Sequence, residues 1–151
     1  MHYTQYDTRV ATYALILDDQ DRILLTWWNG EGRFTPGWSL PGGGVDLEEG
    51  LEESLVREVR EEAGYDVVVG APLTTHSWFR HDEPRPFKAV RVIFDATIVG
   101  GVLGTLEVGG STDFAQWMPI ADVAAQPSRA EIVDVAVSAH LARTGRGVED
   151  R

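Results

Sequence analysis

The 151-residue sequence contains no cysteine. This absence excludes disulfide bonds, thiolate nucleophiles, cysteine-ligated zinc and iron–sulfur clusters. The sequence also lacks any apolar run that approaches the roughly 20 residues of a membrane-spanning helix. Residues 1–7 show neither the basic start nor the apolar stretch of a secretory signal. We therefore expect a cytoplasmic protein with no membrane partner.

Positive charge is scarce as well. The chain has 13 lysines and arginines against 24 aspartates and glutamates, which gives a net charge of −11. Binding of a nucleic-acid duplex depends on lysines and arginines that neutralise phosphates, so we expect no duplex partner. A small phosphorylated substrate fits this chain where divalent cations on a carboxylate cluster cancel the local negative charge.

The composition predicts one ordinary globular domain over residues 1–151, with a core from about residue 9 to 143 and a frayed tail after it. No internal repeat, low-complexity tract or long linker divides it. Strands mixed with two substantial helices predict an α/β/α sandwich, with a mixed sheet between helical layers. A homodimer is an assembly that the sequence leaves open.

Hydrophobic periodicity and turn residues predict the individual elements. Residues 9–17 and 22–28 are expected to form a hairpin around the acidic turn at 18–21. A helix is predicted over 48–63 with Gly64 as its left-handed C-cap, and a last helix follows Ser128 as N-cap to about residue 143. Further strands are predicted at residues 38–40, 66–69, 73–79, 89–98 and 114–118.

Three carboxylates crowd one side of the first predicted helix. Glu58, Glu61 and Glu62 are spaced i, i+3 and i+4, where each like-charged pair destabilises the helix by roughly 0.2–0.5 kcal/mol. Hard cations with oxygen ligands would explain this crowding. Upstream, residues 42–44 are three glycines, which allow close backbone approach and offer a carbonyl ligand. The alternative interpretation is a solvated helix stabilised in part by an Arg57–Glu61 pair.

The joint pattern over residues 43–65 resembles the Nudix box. Its defining positions are occupied by Gly43, Glu49, Arg57, Glu58, Val59, Glu61, Glu62, Gly64 and Tyr65. Only Tyr65 departs from the family pattern, which prefers an aliphatic residue there, and this is a change in packing. The segments 38–43 and 117–119 also resemble the family, so the resemblance extends from about residue 9 to 141.

This resemblance implies the Nudix α/β/α sandwich and a loop–helix–loop catalytic motif. It implies a hydrolase in which water attacks phosphorus and splits a diphosphate linkage in a small nucleotide substrate. It also implies a divalent cation, Mg²⁺ or Mn²⁺. By matching positions, Glu61, Glu62 and the Gly42 carbonyl are metal ligands, and Glu58 is a ligand or the base that activates water.

Two further roles follow from the resemblance. Arg57 and Glu49 are expected to pair with each other and to orient the catalytic glutamates. Many family members add a carboxylate from a loop outside the box, and Glu107 and Asp113 are the candidates in this sequence. A solvated loop acid is the alternative interpretation of either residue.

Substrate-binding residues are less clearly marked. Trp28 and Phe34 are candidates for an aromatic platform under a nucleobase, with core packing as the alternative. Arg33 and Arg80 are candidates for contacts to phosphate or ribose, as are Arg22 and Arg91, with a surface salt bridge as the alternative. The sequence leaves open which nucleotide is the substrate.

Three other functions share this fold or this chemistry. An isopentenyl-diphosphate isomerase relies on a cysteine, which this chain lacks. An RNA-decapping enzyme needs a basic surface, which the net charge of −11 opposes. A sensor of the Nudix fold binds a nucleotide without cleaving it, but such modules usually lose the glutamates that this chain keeps. The sequence therefore favours the hydrolase.

Overall fold

The computed structural model describes residues 1–82 and 84–145. Within that part of the chain the strands are β1 (Asp7–Leu15), β2 (Arg22–Trp28), β3 (Gly37–Ser39), β4 (Gly42–Gly44), β5 (Tyr65–Arg80), β6 (Phe87–Gly101) and β7 (Thr112–Pro119). The helices are α1 (Leu51–Ala63), α2 (Ile120–Val123) and α3 (Glu131–Thr144), with short 3₁₀ turns at Tyr3–Gln5 and Gly30–Gly32. Among the described residues, no helix combines the length and the apolar character needed to cross a bilayer.

The strands form two sheets. The four-stranded sheet has the order β4-β1-β6-β5, in which β1 and β6 are parallel and the other pairs are antiparallel. The three-stranded sheet has the order β3-β2-β7 and is antiparallel. The predicted α/β fold class is confirmed, and the strands are divided between two sheets where the sequence suggested one.

Strand β1 buries side chains on both faces, as expected of a strand covered by helices on either side. Ala11, Tyr13 and Leu15 belong to a core cluster that contains α3 residues such as Val133. The alternate residues, including Ala14, belong to a second cluster with α1. The core therefore lies on both sides of β1, and α1 and α3 cover opposite faces.

The predicted hairpin of residues 9–17 and 22–28 is wrong. Strands β1 and β2 lie in different sheets. Near the turn the two segments are joined by a bridge between Leu17 and Ile23 and by backbone hydrogen bonds from Asp18 to Arg22 and from Leu24 to Ile16. Strand β1 instead pairs with the distant β4 and β6. The acidic turn is present, but burial of β1 between two helices decides its partners.

Helix α1 begins at Leu51, three residues later than predicted, because residues 46–49 form a turn before it. In that turn the Glu49 backbone N–H donates to the Asp46 carbonyl. Its C-terminus agrees with the prediction, since Gly64 has a left-handed φ of 80°. The strands predicted at 66–69 and 73–79 are one strand, β5, with bulges near Pro72.

The last helix also begins later than predicted. Its N-cap is Ala130, and the Ser128 hydroxyl donates to the Pro36 carbonyl, so Ser128 is not the cap. Residues Ile132, Val133 and Ala136 are buried as expected. The predicted frayed tail falls largely on residues 146–151, which lie outside the described residues.

Candidate functional site

The site is built on the glycine strand β4, at the edge of the four-stranded sheet. Gly42 and Gly43 pair with Tyr13 and Thr12 of β1. Gly42 has a φ of 149°, and a Cβ on it would collide with the Thr12 carbonyl oxygen. A Cβ on Gly43 would lie 2.7 Å from Oε1 of Glu58. The absence of side chains therefore lets the carboxylates of α1 lie directly against the strand.

Glu58 and Glu62 are the most closely coupled groups of the site. Glu62 is only 5% exposed. Burial raises the pKa of Glu62 well above its usual range, and the nearby charges of Glu58 and Glu107 raise it further. Burial also raises the pKa of Glu58. The two carboxyl groups lie side by side, and the contact raises the pKa of Glu62 while it opposes the rise in the pKa of Glu58.

Arg57 lies beside these carboxylates and joins α1 to the preceding turn. Its Nε and Nη2 each donate to the Glu49 carboxylate at 2.7 Å, a bidentate contact. Its Nη1 donates to Glu58 at 3.2 Å and to Glu61 at 3.3 Å. The hydrogen bond from Arg57 lowers the pKa of Glu49 to about 2. The predicted Arg57–Glu49 pair is thus present, and its orienting role remains a proposal.

Glu107 is the loop carboxylate that reaches the site. The backbone N–H groups of Leu106 and Glu107 donate to the Glu61 carbonyl at 2.8 and 3.0 Å, which holds this loop on the end of α1. Thr112 N–H donates to the Glu107 carboxylate at 3.0 Å. Asp113 accepts from Asn29 and lies outside the cleft lining, so Glu107 is the candidate that the tertiary structure supports.

These groups face a cleft of about 390 Å³ at the edge where the two sheets meet. Its lining includes Glu58, Glu61, Glu62 and Glu107. Gly42 and Gly43 line it as well, together with polar residues of β2 and β3. Such a cleft is large enough for a nucleotide-sized ligand.

The predicted substrate-binding residues are divided by the fold. Trp28 lines the cleft, and Phe34 stacks on it with ring centroids 5.7 Å apart, although Phe34 itself lies outside the lining. Arg33 is exposed and also outside it. Arg80 lines a separate depression, where its guanidinium lies 5.2 Å from the ring centroid of Phe87. The prediction that Arg80 belongs to the site is therefore corrected, because the end of β5 lies away from the cleft.

The structure adds two residues that the sequence did not single out, Arg9 and Tyr13, which line the cleft. Arg91 from β6, a predicted contact to phosphate or ribose, lines the cleft as well. The alternation of side chains along β1 places Arg9, Ala11 and Tyr13 on one face. That spacing was readable in the sequence, but the neighbourhood of β1 and the glycine strand was not, because the two are distant along the chain.

The donor set fits a hard divalent cation. Its oxygens come from glutamates and a glycine backbone, which are the ligands that Mg²⁺ and Mn²⁺ prefer. In the described part of the chain, no three acidic or histidine side chains are already arranged as a metal cage, and Glu58 and Glu62 contact each other instead. Within the same residues no basic side chain lies within 4.0 Å of the Glu62 carboxylate. A bound cation would supply the positive charge that this buried group lacks.

Comparison with known proteins gives a consistent result. A protein of Bacillus subtilis (strain 168), provisionally named an 8-oxo-dGTP diphosphatase, is 33% identical over 100 residues, which cover 66% of this chain and 56% of the relative. An RNA pyrophosphohydrolase of Gluconacetobacter diazotrophicus is 35% identical over 98 residues, which cover 60% of this chain and 50% of the relative. The chain thus spans about half the length of the curated relatives it matches.

Among solved structures, a NUDIX hydrolase from Nitrosomonas europaea superposes with a TM-score of 0.76. The alignment covers 90% of each chain at 20% sequence identity, which supports the fold. The family profile described as the NUDIX domain matches residues 7–139, a range that contains the glycine strand, the glutamates of α1 and Glu107. On this match, and with Gly43 and the three glutamates of the box lining one cleft, the chain belongs to the Nudix family.

Proposed function

We propose that this protein hydrolyses a diphosphate linkage in a small nucleotide, with Mg²⁺ or Mn²⁺ as its cofactor. One observation carries the proposal: Glu58, Glu61, Glu62 and Glu107 line a single cleft, and the buried Glu62 has no cationic partner among the described residues. A cluster of carboxylates that includes a buried, unpaired group destabilises a protein. We therefore expect such a cluster to be kept only where it serves a function. The names of the curated relatives, a diphosphatase and a pyrophosphohydrolase, support the same reaction.

Glu61, Glu62 and the Gly42 carbonyl would hold the cation, and Glu58 either joins them or acts as the base. When bound, the cation neutralises diphosphate charge and lowers the pKa of a nearby water. Arg57, fixed by its bidentate contact to Glu49, restricts the positions of Glu58 and Glu61. We therefore assign Arg57 and Glu49 as positioning residues.

The reaction forms a bond between the water oxygen and one phosphorus and breaks the bond from that phosphorus to the bridging oxygen. The bridging oxygen leaves with the other phosphate. A carboxylate of the cleft takes the proton from water, and Glu58 is the candidate because it lines the cleft and burial raises its pKa. The products are a nucleoside monophosphate and either pyrophosphate, from a triphosphate, or the phosphorylated remainder of a diphosphate derivative.

A substrate panel tests the proposal. The purified protein would be incubated with nucleoside triphosphates and nucleoside diphosphate derivatives, with and without Mg²⁺ or Mn²⁺, and the phosphorylated products would be identified by ion-exchange chromatography. We expect metal-dependent release of a nucleoside monophosphate from at least one substrate, and loss of that release in Glu62→Gln. Nucleotide binding without cleavage of any substrate would contradict the proposal and favour a sensor.

A further inference from the structure

Two arginines accompany the glutamates in the lining of the cleft. Arg9 is on β1 and Arg91 is on β6, and the parallel register places Arg9 opposite Ala89 and Ala11 opposite Arg91. The two side chains therefore project from the same face of the sheet, two register positions apart. Both line the cleft.

Neither guanidinium is neutralised by the protein. In residues 1–82 and 84–145, no carboxylate lies within 4.0 Å of Arg9 or Arg91. The Nε of Arg91 is buried without a hydrogen-bond partner in the same residues. A buried donor left unpaired destabilises the fold, so this atom is poised to bind an acceptor from outside the chain.

The position of Arg91 is supported from two sides. Its Nη1 donates to Nδ1 of His76 at 3.4 Å, and the opposite ring nitrogen of His76 lies 3.5 Å from the Glu131 carboxylate. Its guanidinium lies 6.0 Å from the ring centroid of Tyr13. These contacts orient the side chain while leaving Nε without a partner.

The cleft is lined by positively charged arginines as well as by negatively charged glutamates. Tyr13 lines the cleft, and its pKa is raised by burial, lowered by the charges of Arg91 and Arg9, and raised by those of Glu62 and Glu58. Charged groups of both signs approach strand β4 closely. A Cβ on Gly44 would lie 2.8 Å from Nε of Arg9, and a Cβ on Gly43 would lie 2.7 Å from Oε1 of Glu58. Adjacent residues of a strand face opposite sides, so Arg9 and Glu58 approach β4 from different faces.

We infer that Arg9 and Arg91 form an anion site that binds a phosphate group of the substrate other than the two joined by the cleaved bond. The inference rests on the proposed function for the position of the cleaved bond. Paired guanidinium groups match the geometry and charge of phosphate oxygens. The preferred substrates then carry an additional phosphate, either the third phosphate of a nucleoside triphosphate or a phosphate on the far moiety of a diphosphate derivative.

Substrates that differ by one phosphate test this preference. ADP-ribose and ADP-ribose 1″-phosphate form a matched pair for the far moiety, and ATP tests the third phosphate. We expect Arg9→Gln and Arg91→Gln to lower kcat/KM for the phosphate-bearing substrate by about 10- to 100-fold, mainly through KM, and to change ADP-ribose much less. Lys88→Gln is the control, because Lys88 is also on β6 but lines the separate depression near Arg80.

A binding measurement separates this inference from the proposed reaction. Inorganic phosphate would be titrated into ¹⁵N-labelled protein in metal-free buffer, with KCl of equal ionic strength as the reference, and the arginine Nε–Hε resonances would be followed. We expect phosphate to shift the resonances of Arg9 and Arg91, and Arg9→Gln to weaken the shift of Arg91. Lys88→Gln should leave the shifts unchanged.

Two results would overturn the anion site: the absence of a phosphate-specific shift, or an equal loss of kcat/KM for both members of the substrate pair in the arginine variants. If the wild-type protein cleaves no substrate, the proposed function fails, and the phosphate titration still decides whether the arginines bind an anion.

Discussion

At the scale of single residues, the contact between Glu58 and Glu62 brings two acidic groups together in a nearly solvent-free position. Glu62 is 5% exposed and its pKa is raised first by burial and then by the charge of Glu58. A stable helix would place an apolar residue at such a position. The proposed cation explains why the chain keeps a carboxylate there.

Replacing either carboxylate by its amide should separate function from stability. We expect Glu58→Gln and Glu62→Gln each to lower kcat by at least about a hundredfold, the scale of a lost acid–base or electrostatic group. The Tm of each variant in metal-free buffer should equal or exceed that of the wild type, because the repulsion is relieved. Steady-state kinetics and thermal unfolding measure the two effects. Near-normal activity in both variants would contradict the assignment.

The raised pKa of Glu62 predicts how stability depends on pH. Above its ordinary pKa of 4.5 the unfolded chain releases a proton that the folded protein retains, so stability should fall as pH rises toward the folded pKa. Glu49 has the opposite sign, since its folded pKa is about 2, and it should lose stabilisation as pH falls below 4.5. Thermal unfolding from pH 3 to 9 in metal-free buffer measures both effects. Glu62→Gln should flatten the alkaline side, and an unchanged slope there would refute the prediction.

At the scale of elements, Arg57 holds the turn at residues 46–49 to the middle of α1. The bidentate contact to Glu49 needs a planar guanidinium, so Arg57→Lys should reduce activity despite keeping the charge. In a double-mutant cycle, Arg57→Ala combined with Glu49→Ala should be much less harmful than the sum of the two single changes. The cycle is measured on kcat/KM and on Tm. Strict additivity would show that the pair does not act as a unit.

The glycine strand gives a test of how closely α1 must approach β4. In Gly43→Ala the new Cβ would meet the flexible carboxylate of Glu58, so Glu58 should move while the fold persists, and kcat should fall by about a hundredfold. In Gly42→Ala the Cβ would meet the Thr12 backbone, and the folded state itself should be lost.

Gly50→Ala is the matched control at the start of α1. A Cβ on Gly50 would have no heavy atom within 4 Å, and its φ is −74°. Activity should therefore remain within about twofold of the wild type, as for other surface substitutions. Circular dichroism and kinetics of the three variants make the comparison. Full activity in Gly43→Ala would show that the close approach has no catalytic purpose.

At the scale of the whole molecule, the site joins segments that are far apart in the chain: β1, the glycine strand, α1 and the loop that carries Glu107. A ligand bound only by this assembled state stabilises all of them together. Mg²⁺ or Mn²⁺ at a hundredfold above Kd should add about 2.7 kcal/mol to the free energy of unfolding. For a chain of this size that corresponds to a rise in Tm of about 5–10 °C.

Differential scanning calorimetry with and without each metal measures this rise. EDTA should reverse it, and Glu62→Gln should reduce it more than the exposed control Glu52→Gln. A Tm that no divalent metal changes would mean that the carboxylates do not form a metal site.

The sequence by itself determined the chemistry of α1. Glu58, Glu61 and Glu62 share a helix side because helical spacing is a local property, and the Arg57–Glu49 pair spans only eight residues. The C-cap at Gly64 and the family resemblance were readable for the same reason. Local spacing and turn chemistry are encoded within a few residues of each other.

Only the tertiary structure decided which distant segments meet. It separated the expected hairpin into two sheets, placed Glu107 in the cleft and Arg80 outside it, and brought Arg9 and Arg91 into the lining of the same cleft. Strand pairing depends on which faces are buried against α1 and α3, and this is a property of the whole core. The carboxylates were therefore predictable from their spacing, whereas the grouping of Arg9 with Arg91 depends on the pairing of β1 with β6.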